Sequence, residues 1–145
     1  MNDRVKQAVE MFSEGYSCSQ AIVASFGTQF GLDKDTALRI ASGLGGGIGR
    51  TGDVCGAVTG AILILGLKFG STDPQAKSAK YATYKKVQEF CEEFKTQAGS
   101  LVCRELLGFD FSTPEGNLRA AQPGAFEHCP GYVETAAEIL ENMLK

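Results

Sequence analysis

Apolar residues recur every three or four positions along almost the whole chain, and nowhere do they alternate with polar ones over a sustained run. That is the period of helices burying one face, not of half-buried strands. The fold expected is all-α: a compact helical bundle of about five to seven helices. A first helix is expected over Asp3 to Ser13, with Val5, Ala8, Val9 and Phe12 as its stripe and Gly15 as its stop. Ser17 offers a cap for a second helix from Cys18 to about Phe30, and Asp33 or Asp35 for a third that ends at Gly43. The most apolar stretch, Val54 to Leu67, begins a fourth that runs to Lys68. Asp73-Pro74 opens a fifth that continues to about Gln97, with Tyr84, Val87, Cys91 and Phe94 facing inward. A short helix over Leu101 to Leu107 and a last one from Pro130 to Lys145 complete the set, separated by a loop of some twenty residues. A loop of that length in a compact domain is usually functional or mobile.

With 145 residues, 43% of them hydrophobic, the chain suffices for one domain over 1-145 with its own core. Fourteen basic residues against seventeen acidic ones leave a formal charge of -3, so no basic field exists to attract a phosphate backbone and nucleic acid is not an expected partner. The Val54–Leu67 run is shorter than the roughly 20 residues needed to cross a bilayer, so the protein is not expected to be transmembrane itself. Its N-terminus, Met1-Asn2-Asp3-Arg4-Val5, lacks the charged-then-apolar order of a secretory signal. A cytoplasmic, reducing location is the expectation, and there cysteines are better read as thiols, metal ligands or catalytic groups than as structural disulfides.

There are five cysteines. No two form a Cys-x-x-Cys, so the zinc-ribbon and thioredoxin-type motifs are excluded and any shared site must be assembled by folding. Their placement is more telling than their spacing. Cys18 follows Ser17, Cys55 follows Asp53-Val54, Cys103 lies in the first turn after Ser100, and Cys129 immediately precedes Pro130. All four fall at expected helix N-termini, where unpaired N–H groups and the macrodipole favour a thiolate. Cys91 sits instead in mid-helix between Val87 and Phe94 and reads as a small core residue.

Glycines cluster around Cys55. The stretch from Gly43 to Asp53 holds too many for a helix, and requires backbone angles that glycine alone tolerates freely. No Gly-Lys-Ser/Thr ends it and no strand precedes it, which argues against a nucleotide site. A mobile loop that exposes Cys55 and turns N–H groups toward a sulfur, a cluster or a small anion is the expectation, with Gly52 and Gly56 as the candidate cofactor-binding positions. Arg50 and His128 are candidates for a positive charge and for a proton donor or ligand beside Cys129, although each reads first as a solvated side chain. Past Cys55, Gly56 and Gly60 share a helix face and would let another backbone approach closely; Gly66 and Gly70 repeat the spacing.

These residues carry a resemblance. Gly15-Tyr16-Ser17-Cys18, Gly52-Asp53-Val54-Cys55-Gly56-Ala57-Val58-Thr59-Gly60-Ala61, Cys103-Arg104-Glu105-Leu106-Leu107-Gly108 and Cys129 together resemble the putative redox-active C_GCAxxG_C_C family. In this chain the central motif reads Cys55-Gly56-Ala57, reversing the Gly-Cys order of the family label. The resemblance implies that Cys18, Cys55, Cys103 and Cys129 are the four family cysteines and leaves Cys91 outside; it also implies a prokaryotic source. Three functions follow as expectations. The first is thiol/disulfide chemistry or electron transfer by a thiol-dependent oxidoreductase, with Cys55 attacking and a second cysteine resolving. The second is an iron-sulfur or other metal-binding protein with the same four cysteines as ligands. The third is a redox-sensing accessory protein of a membrane transporter. A redox partner protein, a transporter or a second copy in a homodimer would be the corresponding partners.

Overall fold

Short polar signals decide where most of the helices begin and end. In the computed structural model, which describes residues 3–145, α1 spans Asp3–Ser13 and stops at Gly15, whose φ of 109° no L residue adopts readily. Ser17 starts α2 (Cys18–Gly27) with a capping box: its hydroxyl accepts from the Gln20 N–H while the Gln20 side chain accepts from the Ser17 N–H. A 3-10 turn carries the chain on to Phe30. Asp33, and not Asp35, caps α3 (Lys34–Ala41), and a second 3-10 turn over Ser42–Leu44 leads into the glycine-rich segment.

The remaining helices are α4 (Gly56–Phe69), α5 (Lys77–Ala98), α6 (Cys103–Leu107), α7 (Pro114–Ala120) and α8 (Cys129–Met143). The protein is all-α, 69% helical, with eight helices among the described residues where the periodicity led to about five to seven. The additional one is α7, inside the long loop expected before the C-terminal helix. Thr113 caps it and Pro114 occupies its first turn, but its seven residues show no periodicity to read. Helix α5 starts at Lys77 instead of at Asp73-Pro74, because the Asp73 carboxylate accepts from the Gln75 N–H and closes a local turn.

Helices α2 and α4 form the centre, with α1 and α8 packed together along one side and α5 lying across α4 and α8. Ile22, Phe26, Val58, Ile64, Leu65, Phe90, Phe94, Val133 and Leu140 are wholly buried there. Only the C-terminal half of α5 reaches this core: Phe90 and Phe94 are buried, Val87 and Cys91 pack at its edge, and Tyr84, expected inside, is exposed. At 22 residues the helix is about 33 Å long, longer than the face that it covers. No described helix is long and apolar enough to cross a membrane.

The closest helix approach is between α2 and α4. A Cβ on Gly60 would stand 3.1 Å from the Ser19 carbonyl oxygen and 3.2 Å from Ile22 Cβ; one on Gly56 would stand 3.0 Å from the Ser19 nitrogen and 3.3 Å from Cys18 Cβ. The expected face of small residues is thus a seam between backbones, and it ends at the first residue of α2. Gly66 and Gly70 do not repeat it: nothing comes within 4 Å of a Cβ on Gly66, and Gly70 is the C-cap, donating to the Gly66 carbonyl.

Candidate functional site

Each of the four dispersed cysteines lies where expected, at the start of a helix. Cys18, Cys103 and Cys129 are the first residues of α2, α6 and α8, and Cys55 is the N-cap of α4. The fold turns all four toward one chamber of about 400 Å³. The Gly56 contact brings α4 against Cys18 from one side. On the other, Val54 and Val102 form an isolated antiparallel bridge. The Cys55 N–H donates to the Leu101 carbonyl (2.8 Å) and the Cys103 N–H to the Asp53 carbonyl (2.6 Å), so the two cysteine-bearing segments are fastened backbone to backbone.

Cys18 holds the central position, its thiol within hydrogen-bonding reach of both Cys129 and Cys55. Those contacts, then burial and the charge of its neighbours, hold the Cys18 thiol well above the usual range. Cys55 moves the opposite way: the Cys18 S–H donates to it, and the N–H groups of Ala57 and Val58 add to this and outweigh burial. Cys129 is also lowered by Cys18, but the next residue, Pro130, has no N–H to offer. A single Cys18 proton serves one neighbour at a time. The amides thus favour the anion at Cys55, and no amide is among the causes at Cys129.

Cys103 departs from the expectation that every helix start lowers a thiol pKa. Burial first, then the negative charge of Cys55, Cys129 and Asp110, push it up to about 12. Its own N–H is already engaged by Asp53, and α6 is only five residues long. Cys91 lies outside the chamber and is raised by burial alone, in keeping with a packing residue. His128 is exposed and pairs with Glu127 (3.4 Å) without facing the chamber.

The glycine-rich segment is wound into a hydrogen-bonded turn. Gly46, Gly47, Ile48, Gly49 and Arg50 have successive φ values of 66°, 71°, 65°, 62° and 64°, a left-handed turn of five residues. It is locked by bonds from the N–H groups of Gly49, Arg50, Gly52 and Asp53 to the carbonyls of Gly43, Gly45, Gly46 and Gly47. Two of the five are not glycine, and a left-handed L residue costs roughly 1–2 kcal/mol. Cys55 is consequently buried, at 5% exposure, where a mobile loop led one to expect it exposed. Gly52 does not line the chamber: its carbonyl accepts from the Arg104 N–H (3.0 Å) and Nη1 (3.2 Å), which anchors α6. Gly56 does line the chamber, as do Gly46 and Gly47, which spacing alone did not single out.

Aromatic residues close the chamber. Phe12 comes from the end of α1, Tyr16 from the link between α1 and α2, Tyr132 from α8, and Phe111 and Phe126 from the long loop, whose Phe109, Phe111 and Phe126 rings cluster at 6.1 to 6.2 Å. The length of that loop marked it as functional or mobile but gave no signal for these residues, since scattered phenylalanines read as core.

A metal ion or iron-sulfur cluster would need several thiolates set around one point. Among the described residues no group of three or more His, Cys, Asp or Glu side chains is set to hold a metal ion. No curated protein and no solved structure matches the chain. Residues 16–143 match the model of the putative redox-active protein family C_GCAxxG_C_C, and the chain belongs to that family.

Proposed function

We propose that the protein is a dithiol oxidoreductase in which Cys55 attacks and Cys18 resolves. The observation that carries this reading is the meeting of all four helix-start cysteines in one chamber, with Cys18 set beside Cys55 at the end of the α2–α4 seam: hydrogen-bond donors favour the anion at Cys55, while the Cys18 thiol is raised and favours the proton. Thiol–disulfide exchange needs that division, because the thiolate is the nucleophile and the departing sulfur needs a proton. The Cys55 thiolate attacks one sulfur of a disulfide, whose S–S bond breaks as a mixed disulfide forms. The departing thiolate takes the proton of Cys18. Cys18, now a thiolate, attacks the Cys55 sulfur and releases the second half, which solvent protonates. Two electrons pass from the cysteine pair to the substrate, leaving a Cys18–Cys55 disulfide that an external thiol reductant reopens. Cys129, also bonded to Cys18, is positioned to exchange with that disulfide; Cys103 stays protonated and packs the wall.

The test is anaerobic purification followed by redox titration with peptide mapping. A colourless, iron-free protein that gains a Cys18–Cys55 bridge on oxidation, and loses it under excess dithiol, is the expected result. Visible absorption with stoichiometric iron would establish the cluster reading in its place.

A further inference from the structure

The chamber in front of Cys55 carries groups that thiol exchange alone does not require. With a volume of about 400 Å³ and with Cys55 at 5% exposure, it is the size of a small-molecule site. Its walls are apolar, from Phe12, Tyr16, Leu106, Phe111, Phe126 and Tyr132. Its one cationic lining residue is Arg50. The guanidinium lies over the Phe111 ring at 4.8 Å and Nη2 donates to Asn117 Oδ1 at 3.2 Å, but no carboxylate among the described residues pairs with it. Arg50 is held there by a left-handed backbone (φ 64°) that its residue type disfavours, and strain of this kind persists where surrounding structure imposes it, often at ligand sites. The same turn supplies the N–H groups of Gly46 and Gly47. Both residues line the chamber, and neither amide has an acceptor among the described residues. Unpartnered successive N–H groups and a guanidinium that line one chamber are the groups from which an anion cradle is built.

We infer that the chamber takes a small organic anion: a carboxylate-bearing disulfide whose charged end rests on Arg50 and the Gly46–Gly47 amides, with its apolar body against the aromatic walls and its sulfurs at Cys55. The disulfide part rests on the dithiol reading above; the anion cradle rests on Arg50 and the amides alone.

Two measurements on the reduced full-length protein separate these parts. In the first, phenylpropionate and its neutral amide, phenylpropionamide, are titrated by calorimetry and amide NMR. The carboxylate should bind saturably and shift the Gly46 and Gly47 signals, the neutral amide should not, and Arg50→Gln should weaken carboxylate binding by about tenfold or more. Arg50→Gly should weaken it alike while relieving the backbone, so that misfolding of the loop does not explain the loss. In the second, reduction of dithiobis(nitrobenzoate) is compared with that of uncharged dithiodipyridine. Arg50→Gln should slow the first about tenfold relative to the second. Equal binding of carboxylate and amide, or unchanged carboxylate binding in both Arg50 variants, overturns the cradle. Charge-selective binding without Cys55-dependent reduction of either disulfide upholds the cradle and sinks the dithiol reading. Reduction of both at rates indifferent to Arg50 overturns the cradle and leaves the dithiol reading standing.

Discussion

Burial and hydrogen-bond donors pull the chamber's cysteines in opposite directions, and both act at Cys55 and Cys129 while at Cys18 and Cys103 every cause raises the thiol. Burial favours the neutral thiol, while N–H groups and neighbouring S–H groups favour the thiolate. At Cys55 three donors outweigh burial; at Cys103 nothing opposes burial and the nearby negative charge, and the thiol is pushed up to about 12. The pH profile of alkylation, mapped by peptide mass spectrometry, should therefore split the two. The midpoint for Cys55 should lie below the ordinary thiol value of about 8.5, and that for Cys103 well above it. Because the Cys18 S–H is the largest cause of the Cys55 shift, Cys18→Ala should move the Cys55 midpoint upward. Cys91→Ala should leave it in place, since Cys91 is raised by burial alone and touches none of these groups. Equal effects from the two substitutions would mean that Cys18 does not donate to Cys55.

Between helices the decisive contact is the α2–α4 seam. Gly60 allows the α4 backbone to lie against Ser19 and Ile22, and the Gly56 contact at the end of that seam sets Cys18 beside Cys55. A side chain at Gly60 must push the helices apart, since the Ser19 carbonyl is backbone and cannot turn away. Gly60→Ala should destabilise by about 1–3 kcal/mol, the usual range for overpacking, and should also disturb the Cys18–Cys55 pair. Gly66, in the same helix, has open space around it, so Gly66→Ala should stabilise by roughly 0.5–1 kcal/mol through helix propensity. Denaturant unfolding of the two variants checks the opposite signs. A loss in both would show that small residues in α4 matter for some reason other than the seam.

For the whole molecule the buried thiols set the response to alkali. Cys103 and Cys18 have raised pKa values in the fold. Both are neutral in folded and unfolded chains below about 8.5, so their contribution to stability is fully present there. Above it the unfolded chain releases protons that the folded one retains, and stability falls as pH rises toward the folded value, about 12 for Cys103. Cys55 and Cys129, lowered in the fold, contribute in the reverse sense: their share is present above about 8.5 and is lost as pH falls through the folded value. Thermal unfolding across this range should show a decline from about 8.5 upward that Cys103→Ala makes shallower. An unchanged slope in that variant would show that Cys103 ionises freely in the fold.

Helical period, the Ser17 and Asp33 caps and the stop at Gly15 are local, so the all-α class and most helix limits were legible in the chain itself. The four helix-start cysteines were legible for the same reason: a cap is decided by the few residues around it. The two errors among the helices have local causes as well, an aspartate turn at Asp73 and a helix at Pro114 too short to show a period. What required the tertiary structure is everything that depends on which segments meet. Four helix starts that look alike in sequence become two thiols with raised pKa values and two with lowered ones, because burial and neighbouring groups come from residues dozens of positions away. The glycine-rich segment is wound by bonds among its own N–H and carbonyl groups, but what it faces is decided by α6, whose Cys103 and Arg104 N–H groups bond to Asp53 and Gly52 at its end. Local backbone preference determines where a helix starts; only packing determines what its first residue faces.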